Sequence, residues 1–272
     1  MPRHREVAVN ARQLLRRTAL HLHHRHPAGP GVTVLIYHRV GGGSDSSVDL
    51  PTDVFREQMR ILAGTNEVLS LDAAADSLQR GEHAAGVVLT FDDGAADFCD
   101  VAVPILAELG LPATLYLVTS APDAGRLPWG VPAVSWKALR DAQSTGLVSV
   151  QSHTHDHTLL HRTGSAEAAR QLTMSVAAIT DQLGHVPQHF AYPKAVAGNA
   201  AARAEVAARF RTAALAGHRV NRSAADLLRL GRVPITRADD LELFRAKADG
   251  GLRLEGLARD LYGHVRYRKV RT

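Results

Sequence analysis

The sequence predicts a parallel α/β fold, and three observations predict it. Seven short apolar runs alternate with helix-patterned stretches between residues 32 and 235, the order expected of β-α units. One run, Val87-Val88-Leu89-Thr90-Phe91, is nearly continuous and rich in β-branched residues, as in a strand covered on both faces. Helical stretches stop at Gly110, Gly146 and Gly184, the residue that closes a helix most readily. The 272 residues, 45% of them hydrophobic, suffice for one α/β unit with a proper core. No internal repeat divides them.

Residues 5–25 read as a basic helix, with Val7, Ala11, Leu14, Leu15 and Leu22 on one face and arginines elsewhere, packing on the main domain rather than on an anionic membrane. His21, His23, His24 and His26 read as a mixed, solvated face. Pro27-Ala28-Gly29-Pro30-Gly31 breaks the pattern, so residues 1–30 form an N-terminal helix and linker, 31–250 the main domain, and 251–272 a C-terminal helix and basic tail. The first strand, 32–38, ends in His38, and strand ends are where barrel chemistry sits. Gly41-Gly42-Gly43-Ser44 opens a flexible loop running to Pro51, long enough to border a site. Phe55, Met59 and Leu62 share one face of the following helix, capped by Thr52 or Asp53. Residues 68–71 and a helix over 72–80 lead to the central strand.

Beyond that strand, a helix over 96–109 ends at Gly110 with Pro112 after it. A strand over 113–118 and a loop over 122–132 follow; Trp129 in that loop, or Trp136, could stack on a sugar face, although packing is the commoner use of tryptophan. A helix over 136–145, a strand over 147–150, a long helix over 166–183, a strand over 189–192 halted by Pro193, and strands over 211–216 and 230–235 complete the domain. The single cysteine, Cys99, excludes an internal disulfide framework and reads as a small buried apolar residue.

The net charge of +5 accompanies no nucleic-acid motif, and Arg253, Arg259, Arg266, Arg268, Lys269 and Arg271 read as a solvated tail. No nucleic-acid partner and no obligate protein partner are expected. No run approaches the ~18 apolar residues of a membrane span, and Arg12, Gln13, Arg16 and Arg17 interrupt any export-signal core. The expected location is therefore cytoplasmic, without stable membrane insertion.

The chemistry concentrates in two stretches. The central strand runs into Asp92-Asp93-Gly94; neighbouring side chains at a strand end point apart, so one carboxylate can hold a metal while the other handles a proton. The tripeptide alone also suits a hairpin turn. Ser152-His153-Thr154-His155-Asp156-His157 places two imidazoles four residues apart, which on a helical turn or tight loop puts them on one side. With one carboxylate they would make a 2-His-1-carboxylate set with open positions for water and substrate. A solvated surface loop is the other reading of so many histidines.

Together, Thr90-Phe91-Asp92-Asp93-Gly94 and His153-Thr154-His155-Asp156-His157 resemble the first two motifs of the polysaccharide deacetylase family, the NodB-homology domain or carbohydrate esterase family four. Tyr37-His38 and Phe190-Ala191-Tyr192-Pro193 look like its poly-N-acetylglucosamine deacetylase branch. The resemblance implies an irregular seven-stranded (β/α) barrel of NodB-homology type. It implies a divalent metal on Asp93, His153 and His157, zinc first, with cobalt, nickel, iron or manganese also compatible. It assigns Asp92 as general base and the backbone amide of Tyr192 as oxyanion donor. No late Leu-x-His motif follows Arg232, so the general acid is assigned to His38. The family's Arg-x-Pro-Tyr is replaced by Phe190-Ala191-Tyr192-Pro193-Lys194 and its late Asp-x-Asp-Trp is missing; Arg232 is expected to pair with Asp92 in place of the lost arginine. The implied substrate is a carbohydrate, an N-acetylated amino sugar or glycan that loses acetate. A non-sugar amide, a cyclic imide, an O-acetyl ester, or glycan binding without turnover are the alternatives.

Overall fold

The computed structural model describes residues 29–82, 85–217, 219–222 and 226–251. The expected N-terminal basic helix and C-terminal tail lie outside them. The seven apolar runs form seven parallel strands: β1 (Val32–Tyr37), β2 (Gly86–Asp93), β3 (Ala113–Leu117), β4 (Val148–Ser152), β5 (His189–Ala191), β6 (Thr212–Ala216) and β7 (Leu230–Pro234). Each strand pairs with the next, and β7 returns to β1 in the register Val34↔Arg232, Leu35↔Val233 and Ile36↔Pro234. The sheet is thus a closed seven-stranded barrel. A stub, Val68–Leu69, adds to the lower edge of β2 through Val68↔Val87 and Leu69↔Val88.

The irregularity lies between β4 and β5, which share one register pair, Ser152↔Phe190. There the Gln151 side chain replaces ladder bonds, its Oε1 accepting from the backbone N–H of Gln188 and His189, each at 2.8 Å. A buried backbone donor needs some partner, and the amide supplies one.

Helices α1 (Thr52–Thr65), α3 (Val103–Leu109), α4 (Trp136–Gln143), α5 (Ser165–Leu183), α6 (Ala200–Ala207) and α7 (Leu241–Ala248) surround the barrel, while α2 (Leu71–Gln79) plugs its N-terminal end. Ser70 caps α2 by accepting from the Ala73 N–H at 3.1 Å, and the helix buries Leu71, Ala74 and Leu78 against Val34, Val88 and Tyr116. The plug is pinned by Asp72, 2.9 Å from His189 Nε2, whose Nδ1 meets Thr212 Oγ1 at 2.8 Å. The barrel interior pairs large with small residues, Tyr116 and Arg232 filling the space left by Ala191 and Ala214. Between barrel and helices, Tyr37, Phe55, Phe91 and Phe98 make a mutually packed aromatic group, each such burial worth roughly 1.5–3 kcal/mol.

The helix expected over 96–109 begins differently. A π turn, Phe98–Ala102, precedes α3, because Pro104 has no N–H to give to the preceding turn and the α-helical ladder cannot continue through it. Cys99, expected to be buried, is partly buried and packs against the core, its thiol pushed up to about 12 by burial. No helix among the described residues is long and apolar enough to cross a membrane.

Candidate metal and hydrolytic site

Strand alternation divides the two aspartates. Thr90 and Asp92 face into the barrel, Phe91 faces the helix layer, and Asp93 turns away in a left-handed conformation at φ 77°. Gly94 continues the turn at φ 94°, where an added Cβ would lie 2.5 Å from Leu117 Cδ1. Only glycine combines that dihedral with that contact at low cost.

Asp92 is 4% exposed and is clamped by Arg232, which donates to Oδ1 at 2.6 Å and Oδ2 at 2.9 Å. The same guanidinium donates to Thr90 Oγ1 at 3.2 Å and lies 5.1 Å from the Tyr116 ring centroid. The expected Asp92–Arg232 pair is therefore present, delivered by β7 rather than by the segment Phe190-Ala191-Tyr192-Pro193-Lys194. Burial alone would raise the Asp92 carboxyl, but Arg232 and then His153 outweigh it and hold it at about 2.

Asp93, His153 and His157 converge at the C-terminal mouth, with one ligand atom from each within 4.8 Å of the others. Asp93 Oδ1 lies 3.5 Å from His153 Nε2 and 3.4 Å from His157 Nε2. His153 Nδ1 donates to the Ala191 carbonyl at 2.8 Å, which directs Nε2 at the carboxylate. Donors ~2.1 Å from one tetrahedral ion sit ~3.4 Å apart, so the observed separations fit a divalent cation between these three groups. Burial acts downward on His153, but Asp92 and Asp93 hold it above its ordinary value. His157 is pushed down to about 4 by burial and by His153 beside it. Burial pushes Asp93 up, but His153 and the neighbouring imidazoles prevail and lower it.

The histidine stretch is a loop, not a helical turn. Thr154 and His157 take left-handed conformations at φ 68° and 59°, a cost typical of functional loops. Gln171 of α5 holds the loop, its Oε1 accepting from the N–H groups of His155 at 3.1 Å and Asp156 at 2.9 Å. Sequence reasoning missed Gln171. Its signal was a polar residue on the buried stripe formed by Ala168, Leu172, Ser175 and Ile179.

The three groups open into a cleft of about 620 Å³ whose walls include His38, Ser44, Trp129 and Lys194. His38 lies there at the end of β1, with Nδ1 buried and no hydrogen-bond partner among the described residues. Trp129 is 47% exposed, its ring centroid 5.0 Å from that of His157; Trp136 is buried in the core, its Nε1 donating to Asp123 at 2.8 Å. The loop expected to be flexible is organised by Asp49, whose carboxylate accepts from Gly42 N–H at 3.0 Å and from Ser44 N–H and Oγ at 2.9 and 2.6 Å.

Tyr192 does not fit its expected use. Its N–H is committed to the Ala214 carbonyl at 3.1 Å, and its ring packs edge-on against Phe190 in the α5–α6 layer. The strand ladder continues one residue past β5 and consumes the amide assigned to the oxyanion.

The sequence profile for polysaccharide deacetylase matches residues 80–213, so that stretch of the chain carries the domain of that family. No curated protein matches it. Among solved structures it is similar to deacetylase PplD from Streptococcus pyogenes in complex with acetate, at 22% identity and a TM-score of 0.73 over 81% of this chain and 99% of that one. It is similar to IcaB from Ammonifex degensii, at 25% identity and a TM-score of 0.72 over 82% and 98%. A de-N-acetylase from Aggregatibacter actinomycetemcomitans aligns at 19% identity and a TM-score of 0.65 over 79% and 99%.

Proposed function

We propose that the protein is a metal-dependent hydrolase that removes acetyl from an N-acetylated amino sugar, free or within a glycan. The observation that carries this is one carboxylate oxygen of Asp93 meeting two imidazole Nε2 atoms at 3.4 and 3.5 Å, beside a second carboxylate that is kept ionised. The deacetylase profile over residues 80–213 supports the carbohydrate and deacetylation parts, and the acetate in the S. pyogenes relative's structure is the product such a reaction releases.

Asp93, His153 and His157 would hold the cation, with zinc suiting two imidazoles and a carboxylate. When bound, a divalent cation polarises a carbonyl and lowers the pKa of water. Asp92, anionic across the neutral range, accepts the proton of the attacking water, and Arg232 fixes its two oxygens so that the carboxylate cannot rotate out of line. His38, just past the C-terminal end of β1, the strand beside β2, donates the proton that the leaving amine needs as the C–N bond breaks. Water supplies the oxygen of acetate, and the sugar leaves as the amine. Trp129 offers an exposed aromatic face on which a sugar ring can stack beside the reacting group.

The test is parallel assay of zinc-loaded protein on N-acetylglucosamine oligomers, on an aryl acetate and on a small cyclic imide. Acetate from the oligomers in clear preference supports the reading. Preferred turnover of the ester or the imide assigns the same site to another substrate.

A further inference from the structure

We propose that the cleft selects substrates bearing an anionic group, a carboxylate or phosphate, near the reacting acetamide, and that Lys194 reads that charge. The inference rests on the deacetylase reading and names its substrate class. Lys194 follows Pro193 in a tight turn, and both Lys194 and Ala195 sit in the left-handed region, at φ 53° and 55°. Two consecutive non-glycine residues hold that conformation only where their surroundings impose it. The turn sets Lys194 on the cleft wall, with its residue exposed to solvent.

Charge bookkeeping in the cleft leaves this ammonium unanswered. Among the described residues no carboxylate pairs with Lys194. Arg39, the other cationic residue of the wall, is taken up by Asp97 at 2.9 Å and Asp49 at 3.6 Å. Asp93 is the carboxylate on the wall, and it already faces two imidazoles. Lys194 shares the cleft wall with His153 and His157, so its charge stands beside the proposed metal ligands. The Lys194 ammonium is therefore surplus positive charge at the cleft wall, to which a bound divalent cation would add, and Leu127, Val131 and Trp129 on the walls limit how far water can screen it. A neutral glycan leaves that charge unused, whereas an anionic substituent pairs with it.

The experiment uses the full-length chain and two matched substrate pairs. One is a hyaluronan tetrasaccharide against its carboxyl-reduced form, and the other is N-acetylglucosamine 6-phosphate against N-acetylglucosamine. Acetate release gives kcat/KM, and calorimetry gives Kd whether or not turnover occurs. The expected result is a preference of roughly fivefold to tenfold for the anionic member of at least one pair, weakened by added salt. Lys194→Arg keeps the preference, Lys194→Gln abolishes it and Lys194→Glu inverts it; the responding pair identifies carboxylate or phosphate. Equal binding of both members of both pairs overturns the proposal, as does a Lys194→Gln variant that weakens both members in the same proportion. Intact charge preference in binding with no acetate from any substrate would overturn the deacetylase reading alone.

Discussion

Replacing Arg232 with methionine tests whether the site depends on a buried charge clamp. Arg232 is 0% exposed and gives two charge-assisted hydrogen bonds to Asp92 and one to Thr90. Methionine keeps much of the apolar stem but removes the guanidinium from over Tyr116 and strands the Asp92 carboxylate in the barrel. Breaking a buried pair from one side costs about 3–5 kcal/mol, because the remaining charge keeps its desolvation penalty without its partner. For a domain this size that corresponds to a fall in Tm of roughly 6–20 °C. Asp92→Asn strands the guanidinium instead, so the double variant should cost less than the sum of the singles by at least about 2 kcal/mol. Acidification gives a second readout. In the wild type the Asp92 carboxyl lies at about 2, below its ordinary 3.8, so its contribution is full above pH ~4 and is lost as pH falls toward 2. Without Arg232, burial raises that carboxyl, its protonation relieves the stranded charge at a higher pH, and the gap between variant and wild type narrows as pH falls. Urea denaturation of the four proteins at pH 7 and pH 4 measures both effects. Additive single costs, or a loss below about 1 kcal/mol for Arg232→Met, would refute the clamp.

Three further outcomes are expected. Gln171→Leu removes the acceptor for two loop N–H groups and should weaken zinc binding about 10–100-fold, measured by competition with a chelating dye; unchanged affinity would show that the loop holds itself. His38→Gln should retain stoichiometric metal while lowering kcat on N-acetylglucosamine oligomers by roughly 10²–10⁴, and near-wild-type kcat would remove His38 from the reaction. His153 is held above its ordinary 6.5 in the metal-free protein, so binding must displace a proton and affinity should fall as pH drops below that raised value; His157, near 4, adds no dependence in the neutral range. Titration calorimetry at pH 6, 7 and 8 checks this through proton release, and pH-independent affinity would contradict it.

The strands were legible because each is a short apolar run bounded by glycine, proline or charge, and the barrel core needs that pattern on both faces. Asp92, Asp93, His153 and His157 were legible because their spacing at strand ends is chemical as well as structural. Arg232 was reached by asking what could replace a missing arginine, and β7 brings it across the barrel to Asp92. The Tyr192 amide was misjudged because sequence does not reveal that the ladder runs one residue beyond the β5 strand to Ala214. The order of the Asp49 loop escaped notice for a similar reason. Glycines and serines signal freedom until a buried carboxylate collects their N–H groups.

On the proposed function, Asp93, His153 and His157 bind one metal on which acetate release depends. Metal content and acetate release from N-acetylglucosamine oligomers, measured together in the wild type and in Asp93→Ala after zinc loading, test it most directly. The account predicts one zinc and acetate in the wild type and loss of both in the variant. Acetate release that persists in metal-free Asp93→Ala would contradict it.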